Sequence, residues 1–321
     1  MLVQVTLKVK RYDPELPENQ RDYYQEYDLD ISENSTVLDC LIDIREYQDE
    51  TLSLRCSCRG AICGSCAMRV NGNAALGCKT KITNVLDSNN SITVGPMGNH
   101  EVVKDLVVDI GDFWNKLRAV KPWISQIGDE PEAEYIAPNE DMQHLVGVVG
   151  CILCGACVSD CTVLEVDNNF LGPAALAKAY RFVADPRDGE EASRLESYNE
   201  YGGIWDCTRC MACVEVCPKG VAPMDRIMSL REKAIEAGFT NTAGARHSEA
   251  FESLVAHSGS LDETQLLIKT IGIFDFPKLI SLIPFAIRAG FNRKVPPLIH
   301  KSIPGVENIR RIHKLIKSSK K

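Results

Sequence analysis

The chain offers little with which to transform a small molecule. No glycine-rich dinucleotide fingerprint follows a strand, and neither a P-loop nor a G-x-S-x-G elbow is present, which excludes the commonest nucleotide-dependent and serine-hydrolase chemistries. Histidine is scarce: six residues, scattered singly, read as surface or structural groups. Long apolar runs are missing too. The most apolar piece, LISLIPFAI at 279–287, is short and interrupted by Ser281 and Pro284, too little to span a bilayer. The opening MLVQVTLKVKRYDP has neither a basic n-region nor an apolar h-region and reads as an alternating strand rather than a signal peptide. No segment is of low complexity. What remains is 321 residues of ordinary globular composition, 45% apolar and 25% charged, enough for about two domains with real cores.

Against these absences stand fourteen cysteines, twelve of them in three tight groups. A disulfide framework belongs to short secreted chains, so clustered thiols here point to metal. In the first group Cys58, Cys63, Cys66 and Cys78 follow C-x4-C-x2-C-x11-C, the plant-type spacing for a [2Fe–2S] cluster. Gly60 and Gly64 permit the tight turn that brings backbone N–H groups to the sulfurs. The competing readings are a zinc knuckle or inert thiols, but zinc sites usually pair C-x2-C ligands from two separate elements. Cys56 does not fit the spacing and reads as a neighbour of the loop. Cys40 falls on a helix face and reads as core.

The third group, CTRCMACVEVC at 207–217, has C-x2-C-x2-C-x3-C spacing, and the second, CILCGACVSDC at 151–161, repeats it. In such paired runs the fourth cysteine serves the other cluster. One [4Fe–4S] centre is therefore expected on Cys151, Cys154, Cys157 and Cys217, and a second on Cys161, Cys207, Cys210 and Cys213. This exchange ties together segments far apart in sequence, so the clusters double as staples and the metal-free chain is expected to fold poorly. The whole reads as an electron wire that needs a donor and an acceptor.

Alternation at Val3, Val5, Leu7 and Val9 and at Tyr27, Leu29 and Ile31 predicts two strands. Residues 36–47 carry a helical pattern behind Asn34 and Ser35, and Asn71-Gly72 marks a hairpin turn. Ser91–Val94 reads as the last strand of a compact domain, and from Lys104 the pattern is read as helical. Helices are expected over LGPAALAKAYRFVAD and from Pro223 to Ala237, closed by Gly238. Residues 239–321 read as several amphipathic helices punctuated by Pro277, Pro284, Pro296, Pro297 and Pro304. Charge is uneven: the net −8 hides 13 Lys and Arg against 6 Asp and Glu in residues 241–321. From Arg288 onward ten basic residues face one acidic residue, Glu307, which suggests an acidic partner, an anionic membrane surface or a merely solvated helix.

CRGAICGSC (58–66), GPMGNHEVVKDLVVDIGDFW (95–114), CILCGACVSDC, GPAALAKAYRFVADPRDG (172–189) and CTRCMACVEVCPKG (207–220) together resemble the iron–sulfur subunit of succinate dehydrogenase and fumarate reductase. The resemblance covers residues 1 to about 238. It implies an α+β chain: a β-grasp plant-type ferredoxin domain over 1–103 and an all-helical bacterial-type two-cluster ferredoxin domain over 104–238, followed by a basic helical extension over 239–321 that is unusual for the family and reads as partner-binding. It also implies the role, passing electrons between an FAD-containing flavoprotein and a quinone-reactive membrane anchor, with the [2Fe–2S] cluster nearest the flavin. The alternative is a three-cluster adaptor for another flavoprotein, of glycolate, glycerol 3-phosphate or heterodisulfide type.

Two departures from the family pattern stand out. Most members have an apolar residue where this chain has Cys210, and their terminal cluster is [3Fe–4S]. A fourth thiolate allows a full [4Fe–4S] cubane; with Cys210 unligated the centre would remain three-iron. Members with a nearby quinone pocket also follow the last cysteine of the second run with Pro-Ser and tryptophans, and place a histidine after the first cysteine of the third. This chain has Thr162 and Thr208 there. The extension resembles, more weakly, small ferredoxin subunits of heterodisulfide reductases, whose partner is built from CCG domains. Together these features point to the subgroup, including methylmenaquinol-dependent enzymes, with a CCG-type anchor. The expected location is peripheral on the membrane, at the cytoplasmic face, or exported with a flavoprotein carrying a twin-arginine signal.

Overall fold

The computed structural model describes residues 2–126, 128–272, 275–294 and 301–319. The chain divides into two compact units, 1–232 and 233–321. The first opens with β1 (Leu2–Tyr12) and β2 (Asp22–Ser32), paired antiparallel from Leu2 opposite Ser32 to Tyr12 opposite Asp22. Helix α1 (Val37–Tyr47) follows, and its cap is Thr36, one residue later than the sequence suggests. The Thr36 hydroxyl accepts from the Asp39 N–H while Asp39 reaches back to the Thr36 N–H, a reciprocal capping box. β3 (Ala67–Val70) and β4 (Asn73–Leu76) form the hairpin around Asn71-Gly72, both at positive φ as a type I′ turn requires. β5 (Ser91–Gly95) runs parallel to β1 and completes a sheet of order β2-β1-β5-β3-β4.

Val5, Leu7 and Val9 of β1 face Cys40, Leu41 and Ile44 of α1 in the core. The same alternation carries Arg11 inside, where only 3% of it is exposed. Its guanidinium donates to Asp105 and Asp49 carboxylates, to Tyr27 and to Thr51, so the buried charge is fully partnered.

Residues 104–108, read as the start of the helical region, do not form a helix. The β-branched valines make a small hairpin, β6 (Val102–Lys104) and β7 (Val107–Val108), turning at Asp105, whose backbone sits at φ 49° while its carboxylate serves Arg11. Helices then take over: α2 (Gly111–Ala119), α3 (Asn139–Met142), α4 (Ala156–Ser159), α5 (Gly172–Val183), α6 (Glu191–Tyr198), α7 (Ala212–Glu215) and α8 (Pro223–Glu236). α5 is buried on nearly every side, with alanines at 174, 175, 177 and 179. Small side chains there let neighbouring loops approach its backbone. The ADPRDG turn after it is held by ion pairs: Arg181 and Arg187 on Asp185, and Arg194 on Asp188.

In the second unit α9 (Ala243–Ser258), α10 (Glu263–Ile271) and α13 (Val306–Ser319) pack together, while α11 (Phe276–Ser281) and α12 (Ile283–Phe291) follow α10. Pro277 and Pro284 do not separate helices but open them, inside the first turns of α11 and α12, where a missing N–H costs nothing. Pro296 and Pro297 lie outside the described residues. No helix among those described is long and apolar enough to cross a membrane.

Candidate iron–sulfur centres

The loop 58–66 owes its shape to alternating backbone hands. Arg59, Ala61 and Gly64 have positive φ, turning successive N–H groups inward as an anion-binding nest. Gly60, Ile62 and Cys63 donate to the Cys58 sulfur at 3.2–3.4 Å, and Ala61 donates to that of Cys78 at 3.3 Å. Cys63 shares a 3.1 Å hydrogen bond with the Ser65 hydroxyl, which, with backbone N–H groups, pulls its thiol down to about 6. Cys66 is enclosed; burial pushes its thiol up to about 12, and the charges of Cys78 and Cys63 push it the same way. These four thiols therefore converge, Cys58 and Cys63 toward solvent and Cys66 inward. Cys56 packs at the edge of the adjoining apolar cluster, and Cys40 is wholly buried on the core face of α1.

The second and third runs share one backbone recipe. Leu153 and Gly155 flank Cys154 at positive φ, and Arg209 and Met211 flank Cys210 likewise. Short helices α4 and α7 then follow, each carrying the third cysteine of its run. Cys217 leaves its own run: it lines one pocket with Cys151, Cys154 and Cys157, walled by Ala174 and Ala177 of α5. The Val221 N–H donates to its sulfur at 3.3 Å. Burial raises the Cys154 and Cys157 thiols, with further contributions from Cys151 and Cys217. Cys161 in turn leaves the second run. Burial raises its thiol, and it feels Cys207 and Cys210; the buried Cys213 thiol, pushed up to about 12, feels Cys207, Cys161 and Cys210.

Four soft thiols per group, lined with N–H donors, form a donor set that fits iron–sulfur clusters. No group of three or more His, Cys, Asp or Glu among the described residues could hold a single metal ion.

The groups adjoin in series. A methyl group on Gly64, at φ 75°, would lie 2.8 Å from Cβ and 2.9 Å from Cα of Cys154, so the first loop rests directly on the second. Ile152 and Cys154 pack on the apolar cluster of Leu38, Ile42, Cys66 and Leu76. Arg69 donates to Ser159 and Asp160, and Asn99 to the carbonyls of residues 158, 159 and 161, fixing the junction. Cys157 in turn lies within electrostatic reach of Cys213.

The third group holds residues whose role the sequence reading did not identify. Thr162 donates to the Cys210 sulfur at 3.6 Å. Burial alone would raise that thiol; hydrogen bonds from Thr162, the Ala212 backbone and Thr208 bring it below its ordinary value. The residues that depart from the usual quinone pocket thus serve the extra cysteine. Arg231 of α8 is 7% exposed and donates to the carbonyls of Ile204, Trp205 and Cys207 at 2.7–3.0 Å. Burial pulls its guanidinium down to about 10, still charged at neutral pH, and no carboxylate forms an ion pair with it among the described residues.

Comparison with known proteins follows the same layout. Residues 6–115 match the family described as a 2Fe-2S iron-sulfur cluster binding domain, and residues 147–221 the one described as a 4Fe-4S dicluster domain. The chain is 34% identical over 265 residues to the 8-methylmenaquinol:fumarate reductase iron-sulfur subunit of Wolinella succinogenes, covering 80% of this chain and 82% of that one. It is 38% identical over 229 residues to the fumarate reductase iron-sulfur subunit of Mycobacterium tuberculosis, covering 71% and 91%. A mitochondrial succinate dehydrogenase iron-sulfur subunit of Oryza sativa is 35% identical over 236 residues, covering 72% and 83%. Among solved structures, a chain of the Mycobacterium smegmatis Sdh1 complex in the apo form shares the fold, with a TM-score of 0.68 at 24% identity over 74% of this chain and 98% of that one.

Proposed function

The chain belongs to the iron–sulfur subunit family of succinate dehydrogenases and fumarate reductases, and we propose that it is the electron-transfer subunit of such a complex, relaying electrons between an FAD subunit and a quinone-reactive membrane anchor. The observation that carries this reading is the serial order of its cysteine groups. The first surfaces at Cys58 and Cys63, the middle one is closed in by α5, and the third surfaces again at Cys210. A wire needs two reachable ends and a protected middle.

We assign the [2Fe–2S] cluster to Cys58, Cys63, Cys66 and Cys78, one [4Fe–4S] cluster to Cys151, Cys154, Cys157 and Cys217, and the other to Cys161, Cys207, Cys210 and Cys213. When bound, these groups supply one-electron carriers. The chain's own part is to hold them: N–H groups of residues 60–63 stabilise thiolate charge, the Gly64–Cys154 contact brings two loops together, and the apolar cluster between them keeps water out. The domain division at 103 and 238 remains our reading of these parts.

The anchor in this proposal is of CCG type. Three features support it: Cys210 with its threonines, the basic extension, and the Wolinella relative, whose match covers 80% of the chain and so reaches past residue 238. The subunit lies peripherally on the membrane through that anchor. The cytoplasmic face is our placement, and a flavoprotein partner with a twin-arginine signal would move it to the other side.

Copurification with a large FAD protein and dye reduction dependent on succinate, or oxidation dependent on fumarate, is the expected result. Copurification with a flavoprotein active only on glycolate, glycerol 3-phosphate or a heterodisulfide would replace this function with the adaptor role. Truncation after Gly238 should leave all three clusters spectroscopically intact and weaken capture of the anchor; loss of the clusters would make the extension a folding element instead.

A further inference from the structure

Helix α12 is apolar on more than one side, and among the described residues nothing in its own unit buries it. Ile283, Ile287 and Phe291, at i, i+4 and i+8, share one face and are 52%, 55% and 87% exposed. Phe285, on the opposite face, is 69% exposed. α11 adds Phe276 and Ile280 at 64% and 62%. A helix apolar all round is normally enclosed on all sides, and a groove on a protein surface covers only one face. A bilayer interface covers every side of a short helix that enters it. At nine residues α12 is far too short to span.

Charge selects the kind of surface. Between Phe276 and Val306 the sequence holds five basic residues (Lys278, Arg288, Arg293, Lys294 and Lys301) and no Asp or Glu. Arg288, Arg293, Lys294 and Lys301 are all exposed. The neighbouring anion Asp275, at the start of α11, is paired with Lys278 at 2.8 Å. The apolar side chains are thus flanked by the cations Arg288, Arg293, Lys294 and Lys301, and together they match the acyl region and phosphate layer of an anionic leaflet. We propose that α11 and α12 form an interfacial membrane-binding element that inserts its apolar side chains into anionic lipid. This inference does not depend on the electron-transfer reading, since it uses no cluster residue.

The test is cosedimentation of the full-length, cluster-loaded protein with vesicles of phosphatidylcholine, with and without phosphatidylglycerol. The wild type is expected to bind the anionic vesicles, less so at high salt. The variant F285S/I287S/F291S, whose cluster absorption should be unchanged because the substituted side chains are exposed, is expected to bind about tenfold more weakly or worse. A wild type that ignores anionic vesicles would overturn the proposal, and so would a variant that binds them equally well, since α13 charge would then account for the binding. If the wild type instead self-associates, or captures the anchor subunit through these three side chains without binding lipid, the face belongs to a protein and the proposal fails.

Discussion

Cys210 and the groups around it show how single residues set the character of a centre. The Thr162 hydroxyl donates to the Cys210 sulfur, and Thr208 adds a second hydrogen bond that favours the thiolate. C210A is expected to convert the terminal centre to a three-iron form, seen as a new EPR signal in the oxidised state; an unchanged spectrum would show that Cys210 is no ligand. T162V should produce the same signal in part, with T162S restoring the four-iron centre, because hydrogen bonds to a ligand typically change metal affinity about 10–100-fold. Arg231 acts on the same centre by charge. Breaking its carbonyl bonds leaves less positive potential beside Cys207, so R231Q should lower the reduction potential of the terminal cluster and leave the other two unmoved, while R231K should lie between. An unaltered potential in a redox-titrated EPR series would refute that role.

At the scale of elements, the loop 58–66 and the second cysteine run meet through Gly64. G64A must displace Cys154 backbone and force an L-residue to φ 75°, so a loss of about 2–4 kcal/mol is expected from overpacking and left-handed strain together. Thermal unfolding should show it, along with weakened magnetic interaction between the first two reduced clusters. The turn after α5 depends on Asp185. Burial alone would raise its carboxyl, but Arg187 and Arg181 bring it down to about 2. A carboxylate depressed on folding contributes stability above the unfolded value near 3.8 and loses it as pH falls through about 2, a contribution on the order of 2 kcal/mol. D185N should therefore destabilise the protein at neutral pH and flatten that part of the acid limb; an acid limb identical to wild type would rule it out. Sequence alone revealed the periodic elements, since β1, β2, α1, α5 and α8 announce themselves by apolar spacing. It misread 104–108 because Leu106, Val107 and Val108 after Lys-Asp fit a helical pattern as readily as a hairpin. What separates them is Asp105, held by Arg11 from β1, a long-range bond that no local pattern records.

For the molecule as a whole, the twelve grouped cysteines were legible because ligand spacing is chemistry written along the chain. The order of the groups in space was not, because it rests on Gly64 touching Cys154 and on Arg69 and Asn99 gripping residues 158–161. The exchange of Cys217 and Cys161 between groups is an expectation of the spacing; what spacing could not supply is the wall of Ala174 and Ala177 from α5 beside Cys151, Cys154, Cys157 and Cys217. The account stands on three metal centres within one polypeptide. Iron and acid-labile sulfide, assayed on protein reconstituted and purified without oxygen, measure that directly. About ten iron atoms and ten sulfides per chain are predicted, from one two-iron and two four-iron clusters. A colourless protein holding zinc, or far fewer irons after full reconstitution, would contradict it.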